Sequence, residues 1–215
     1  AVVERSGVGV KGSLAALRAA ADLARQPAAQ PKAVSTGMDT AARALPDRLV
    51  GHVDDFAEFQ TDLDSVLTYA RAQGLPEPYY LMAHSMGGCI GLRSLMGQHP
   101  FKAAAFSAPM WGISMAAWMR PVAHILGQLA GPFGQAHRYA PGTGGQTYVL
   151  SAPFQGNVLT TDPGMWDYMR RQVEAEPDLA LGGPSVGWLD AALRECAALA
   201  AMPAPSLPCV TAPSR

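Results

Sequence analysis

The segment Ala83-His84-Ser85-Met86-Gly87-Gly88 sets one serine among small residues where an apolar run gives way to a helical pattern. A serine hydroxyl is a weak nucleophile until its surroundings activate it, and a very sharp strand-to-helix turn is one way to present it. On such a nucleophile elbow the Ser85 Oγ projects at the carboxyl end of the strand, where open α/β sheets place ligands. The Met86 backbone N–H then points at a developing oxyanion, and the helix N-terminus adds favourable potential for negative charge. Strand and helix nearly touch at such a turn, so the residues two places either side of the serine must be small. Ala83 and Gly87 meet that need, with Ala83 standing where glycine is usual. The predicted chemistry is attack by Ser85 on a carbonyl carbon through an acyl-enzyme that water releases. The competing reading is a glycine-rich turn with an incidental serine, and the flanking strand and helix weigh against it.

The elements that must hold Ser85 are readable on both sides. Residues 79–83 form a short apolar run that predicts a buried strand, residues 89–98 a helix, and residues 103–107 a second strand closed by Pro109. Upstream, Val53, Phe56, Leu63, Val66, Leu67 and Ala70 recur near helical spacing. Asp54 and Asp55 open that stretch, where negative charge suits the helix dipole, and Gly74 and Pro76 close it. Helix–strand–helix–strand with tight connections predicts a parallel α/β sheet.

Residues 110–185 break the rhythm with Trp111, Trp118, Trp166, several methionines and Pro/Gly-rich joints, so an insertion is expected there. Helical stretches are expected over residues 114–129 and 165–176. Residues 188–202 return to a helical pattern, and residues 207–212 predict one more strand. Ahead of Gly51 only residues 13–25 have a helical face, and residues 26–39 show no period.

A chain of 215 residues accommodates one domain, and 49% hydrophobic against 15% charged residues marks it as globular. A net charge of -1 without a basic cluster gives no reason to expect nucleic acid or an anionic membrane as partner. Cys89, Cys196 and Cys209 are odd in number and lack a CxxC spacing, which predicts neither a disulfide framework nor a zinc knuckle. Reduced thiols and a cytoplasmic location are the expectation. No apolar run reaches the ~18 residues of a membrane span, and no secretory signal pattern opens the chain. The first residue is Ala, as in a processed product or a fragment.

Three segments together carry a family resemblance: Gly51-His52-Val53-Asp54-Asp55-Phe56, the turn at Ser85, and Ala105-Phe106-Ser107-Ala108-Pro109-Met110-Trp111. They resemble the bacterial lysophospholipase and monoacylglycerol-lipase-like α/β-hydrolases, a serine aminopeptidase S33-like group. The runs from Asn157 to Asp162 and from Leu181 to Leu189 resemble the same family's cap, and the likeness extends over about residues 42–212. The resemblance implies an α/β-hydrolase fold, a mostly parallel sheet flanked by helices with a helical cap insertion. It implies a serine esterase of lipid-like esters with Ser85 as nucleophile and the Met86 N–H as half of the oxyanion hole, without metal or organic cofactor. The cap would line an acyl pocket to which Met110 and Trp111 contribute, core packing being their alternative. Asn157 is either a polar contact of the cap or the organiser of a turn. The division implied is residues 42–109 as core, 110–185 as cap, 186–215 as return to the core, and 1–41 as unrecognisable.

The chain departs from the family's pattern at both ends. The order in this fold is nucleophile, acid, histidine, with the acid after the strand near residues 207–212. Only Pro213-Ser214-Arg215 follow, so triad acid and histidine are expected to be missing from the chain. The histidines present (His52, His84, His99, His124 and His137) read as surface or turn residues. Asp162, Asp167 and Asp190 read as solvated. Taken from the third base of codon 35, allowed codons for residues 35–41 can spell DWHGHGG, which resembles the family's missing turn. The expectation is that residues before about Ala42, and those from Pro213 on, come from a shifted reading frame or a gene remnant. A catalytically defective fragment, or a non-catalytic binder of a lipid-like ligand, is the alternative to an active esterase.

Overall fold

A computed structural model describes residue 47 and residues 49–115 and 119–213. The helix expected over residues 13–25, the proposed frame-shifted segment, Trp118 and the side chain of His124 lie outside the described residues. The described chain runs α1 (Glu58–Ala72), β1 (Tyr79–His84), α2 (Met86–Leu95), β2 (Phe101–Ser107) and α3 (Met119–Ala130). It continues through the single turn α4 (Tyr148–Ser151), α5 (Pro163–Ala175), a 3₁₀ turn (Pro177–Leu179), α6 (Val186–Ala200) and β3 (Cys209–Ala212). The three strands make one parallel sheet in the order β1-β2-β3. Parallel strands need crossovers. α2 supplies the first, and everything from α3 to α6 lies within the second.

The entry to α1 differs from the expected one. Asp55 Oδ1 accepts from Ala57 N at 2.8 Å while Glu58 Oε1 accepts from Asp55 N at 3.0 Å, a reciprocal arrangement like a capping box. The regular helix begins only at Glu58, so Val53 and Phe56 are buried in its approach rather than on its face. Val66 stands exposed, and Leu63 and Leu67 carry the contact with Ala83, Leu95, Phe101, Ala104 and Phe106. Helical spacing alone could not separate an apolar approach segment from the helix that follows it.

That cluster lies on one face of the sheet. Strand side chains alternate, so Ala83 is buried while Tyr80 and Met82 point the other way and are exposed. β3 is exposed throughout. The expected fully buried strand is therefore covered on one side only among the described residues. A second core lies between α2 and α6, built from Val53, Phe56, Cys89, Ala191, Ala192, Cys196 and Leu199.

Among the described residues between 110 and 185 there is no strand. Asp162 caps α5, its Oδ1 accepting from Gly164 N at 2.7 Å and Met165 N at 3.3 Å, with Pro163 next in line. Asn157 is consumed by its own turn: Nδ2 donates to the carbonyls of Phe154 and Thr160, and Oδ1 accepts from Leu159 N and Thr160 N. The turn-organiser alternative holds for this residue. No helix among the described residues is long and apolar enough to cross a membrane.

The Tyr139 hydroxyl donates to Asp47 Oδ2 at 2.6 Å, tying the start of the described chain to the segment before α4. That bond holds the Asp47 carboxyl below its usual range and pushes the Tyr139 phenol up to about 12. Above the ordinary phenol value of ~10 an unfolded chain gives up this proton while the folded one keeps it. The contribution is therefore complete below that value and is lost as pH rises through about 12. Phenolate absorbance should show one tyrosine titrating late, and Asp47→Asn should return it to the ordinary range.

Candidate functional site

At the junction of β1 and α2 the Ser85 backbone has φ 51° and ψ −123°. A side chain beyond glycine is disfavoured there. Ser85 N donates to Ser107 O at 3.1 Å, and Ser85 O accepts from Gly88 N and Met110 N, both at 2.8 Å. The serine is exposed, and its hydroxyl does not cap the helix it precedes. Met86 opens α2, so its N–H belongs to the donors that a helix cannot satisfy internally.

The close approach predicted around Ser85 is real, but it falls elsewhere. A Cβ on Gly88 would lie 2.5 Å from Pro109 Cβ and 2.8 Å from Pro109 Cα. A Cβ on Gly91 would lie 3.0 Å from Leu81 Cδ2 and 3.3 Å from Ala83 Cβ. A Cβ on Gly87 would meet nothing within 4 Å. The size limit therefore rests on Gly88 and Gly91, one turn apart on the face of α2 that meets β1 and the turn after β2. α2 also begins three residues earlier than its expected start at residue 89. Two glycines read as loop because of their poor helix propensity, whereas packing demands a glycine inside the helix.

Met110 and Trp111 are brought to this turn, and both are held by it. Met110 gives its N–H to the Ser85 carbonyl and packs its side chain on the α2–α6 core. Trp111 Nε1 donates to Gly88 O at 3.2 Å, and its ring lies edge-on to Phe106 with centroids 5.3 Å apart. Trp111 also borders a cavity of ≈ 570 Å³ together with Ile113, Pro121 and Leu193.

The histidines divide. His84 is exposed, with Nδ1 3.3 Å from Ser107 Oγ. His99 stacks on Phe101 at 5.9 Å between centroids. His52 is not the surface or turn residue expected: its side chain is 6% exposed and lies edge-on to His137 at 4.1 Å. His52 Nδ1 is 2.6 Å from Ser185 Oγ, and Nε2 is 3.0 Å from Asp54 Oδ1. A nitrogen facing a carboxylate must carry its proton, so in the neutral ring Nδ1 accepts and the Ser185 hydroxyl donates. Ser185 Oγ also accepts from Trp188 N at 2.9 Å as the N-cap of α6. This Ser–His–Asp arrangement has the connectivity of a hydrolytic triad on a wholly buried serine. It clamps the segment before α1 to the start of α6 and leaves no path for an ester carbonyl. His52 and Asp54 are two residues apart, but Ser185 is remote from both and no local pattern joins it to them; only its N-cap position before an apolar helix was a readable signal.

Asp190, expected to be solvated, is buried, because Gly127 of α3 packs directly against it. Its Oδ2 accepts from Arg194 Nε at 2.9 Å. Asp162 and Asp167 are exposed as expected. Among the described residues no side chain hydrogen-bonds the Ser85 hydroxyl, and no cluster of His, Cys, Asp and Glu fit for a metal ion occurs.

Comparison with known proteins shows what the chain is similar to. The family model described as serine aminopeptidase, S33, matches residues 37–209. Lysophospholipase L2 of Escherichia coli K12 is 31% identical over 160 residues, which are 71% of this chain and 44% of that protein. A probable lysophospholipase L2 of Haemophilus influenzae is 28% identical over 159 residues, 74% of this chain and 49% of that one. The chain thus spans about half the length of the curated relatives it matches. Among solved structures, a monoacylglycerol lipase of Paleococcus ferrophilus matches with TM-score 0.49 at 16% identity, over 75% of this chain and 54% of that one. A soluble variant of monoglyceride lipase from Saccharomyces cerevisiae, in complex with a substrate analog, matches with TM-score 0.45 at 20% identity, over 71% and 46%.

Two substitution tests follow. Gly88→Ala should destabilise the chain by about 1–3 kcal/mol through overpacking against Pro109, whereas Gly87→Ala should range from neutral to ~1 kcal/mol stabilising. Urea denaturation of both variants reads the contrast. Ser185→Ala removes a helix cap and leaves His52 Nδ1 without its donor, so a loss of about 2 kcal/mol is expected in the same assay.

Proposed function

The chain belongs to the serine aminopeptidase S33 family, with the α/β-hydrolase fold, and from that membership we propose that it is a serine hydrolase of carboxylic esters. Its substrates are of the lysophospholipid or monoacylglycerol kind, as the names of the relatives suggest. Ser85 is the nucleophile. The observation that carries this reading is the exposed Ser85 on a backbone at φ 51° and ψ −123°, directly ahead of a helix N-terminus. Such a conformation persists only where its surroundings over-determine it, which is characteristic of a reacting group.

In the proposed reaction Ser85 Oγ attacks the ester carbonyl carbon; the step calls for a histidine base to take its proton and an acid to orient that base, roles that no described residue fills at Ser85. The negative charge on the carbonyl oxygen is met by the Met86 N–H, half of an oxyanion hole, and by the N-terminal end of α2. Collapse expels the alcohol and leaves the acyl group on Ser85, which water then removes. Residues 42–109 act as the catalytic core, residues 110–185 as a cap, and residues 186–215 as the return toward the acid position. Trp111 serves as a contact of the acyl group, its Nε1 fastening it to Gly88 O in the first turn of α2. Met110 serves chiefly as packing. No cofactor enters the reaction, and the cytoplasm is the proposed location.

A second reading, a non-catalytic binder of a lipid-like ester, is favoured by one observation. Among the described residues nothing activates the Ser85 hydroxyl by hydrogen bonding. A fluorophosphonate probe distinguishes the two on the 215-residue chain. The esterase reading expects a single labelled peptide carrying Ser85. It also expects p-nitrophenyl ester hydrolysis to fall by about 10³-fold or more in Ser85→Ala. Absence of label and turnover in a folded sample supports the binder, and label on Ser185 instead of Ser85 would overturn both.

A further inference from the structure

Two buried thiols have no part in the reaction assigned to Ser85. Cys89 of α2 and Cys196 of α6 lie far apart in sequence but share one core. Within that core the two thiols interact directly with one another. Cys196 S–H in turn reaches the Met110 carbonyl at 3.6 Å. Met110 is also the residue whose N–H holds the Ser85 carbonyl. Cys89 has no exposed surface, whereas Cys196 lines the cavity of ≈ 570 Å³ with Trp111, Ile113, Leu193, Ala197 and Ala200. A small solute entering that cavity meets one sulfur of the pair and not the other.

We propose that Cys89 and Cys196 are a reversible redox pair in which a small hydroperoxide admitted by this cavity converts two thiols into a disulfide joining α2 to α6. The Cys196 sulfur attacks one peroxide oxygen, the O–O bond breaks, and the departing oxygen takes the proton given up by the thiol, leaving as water or an alcohol. Cys196 is then a sulfenic acid. The Cys89 sulfur attacks the Cys196 sulfur, the S–O bond breaks, and the hydroxyl leaves as water with the Cys89 proton. Two electrons and two protons pass from the thiols to the peroxide. A dithiol reductant reverses the step by thiol–disulfide exchange, itself becoming a disulfide. The roles follow from the contacts. Cys196 lines the cavity and so meets the peroxide first, whereas Cys89 has no exposed surface and reacts only with the sulfenic acid formed beside it.

The full chain tests this without any substitution. After hydrogen peroxide, alkylation of residual thiols and digestion without reduction, mass spectrometry should find Cys89 linked to Cys196. Cys209, exposed on β3, should not be the partner. In urea the order should invert, because the shorter loop from Cys196 to Cys209 closes at lower entropic cost. With Cys209→Ser, the native chain should lose both remaining thiols together and about 2 Da in mass, and a dithiol reductant should restore both. With Cys196→Ser, Cys89 should remain a thiol under the same exposure. Three results would overturn the proposal: native pairing of Cys196 with Cys209, accumulation of sulfinic acid on Cys196 without a link to Cys89, or retention of both buried thiols in a folded sample.

Discussion

Ser85 is held at φ 51° and ψ −123°, a conformation that costs a residue with a side chain of order 1–3 kcal/mol. What offsets that cost is the register of the parallel pair, in which Ala83 faces Phe106 and His84 faces Ser107. That register puts the Ser107 carbonyl level with the Ser85 N–H and the Met110 N–H level with the Ser85 carbonyl. The pattern repeats one strand further on. Ala108, with φ 43°, gives its N–H to Ala212 at 2.7 Å, as Ser85 gives its own to Ser107. Each strand's exit turn is thus bonded to the last residue of the next strand, and the sheet's hydrogen bonding continues into the turns that leave it. A slip of one residue between β1 and β2 would remove the Ser107 carbonyl from reach and turn every side chain to the opposite face.

The turn also limits distance. With Gly88 and Pro109 in contact, α2 is drawn against the segment that leaves β2, and no side chain fits between them. Behind α2, α6 closes the second core through Ala191, Ala192 and Cys196. α6 is itself seated by two contacts of different kinds: Gly127 of α3 abutting Asp190, and Ser185 clamped between Trp188 N and His52. The chain between β2 and β3 is consequently anchored at both ends to elements that also hold Ser85. Met110 joins the Ser85 turn to the second core, with its N–H on Ser85 and its carbonyl on Cys196.

Much of this was legible in the residues wherever a local rule sufficed. The apolar runs before Ser85 and before Pro109 became β1 and β2, residues 163–175 and 186–200 became helices near their expected bounds, and the last run became β3. The misses share one cause. The start of α2, the free space at Gly87, the burial of His52 and Asp190 and the exposure of Val66 are all set by contacts between remote segments. A glycine pair reads as a loop until the proline it must clear is known. An aspartate on a helix reads as solvated until a glycine on another helix is found against it. The turn role of Asn157 was among the readings its residue type allowed because its partners lie within three residues, whereas the cap that Asp162 makes, equally local, was read only as a solvated position.

The same distinction separates the two serines. Ser185 has the histidine and the aspartate of a triad in hydrogen-bonded sequence, yet its oxygen already caps α6 and it has no exposed surface. Ser85 has the exposure, the strained turn and the helix N-terminus, but among the described residues its hydroxyl has no histidine partner. Acyl transfer needs a carbonyl carbon brought to about 3–3.5 Å from the nucleophile along an open path. A donor must also be aimed where the oxyanion forms. Space and donors cannot be supplied to Ser185 without dismantling the cap of α6. A base for Ser85 requires only an imidazole approaching an exposed hydroxyl. Triads are recognised by roles as well as connectivity, and it is by roles that the serine at the end of β1 is the one we propose as reactive.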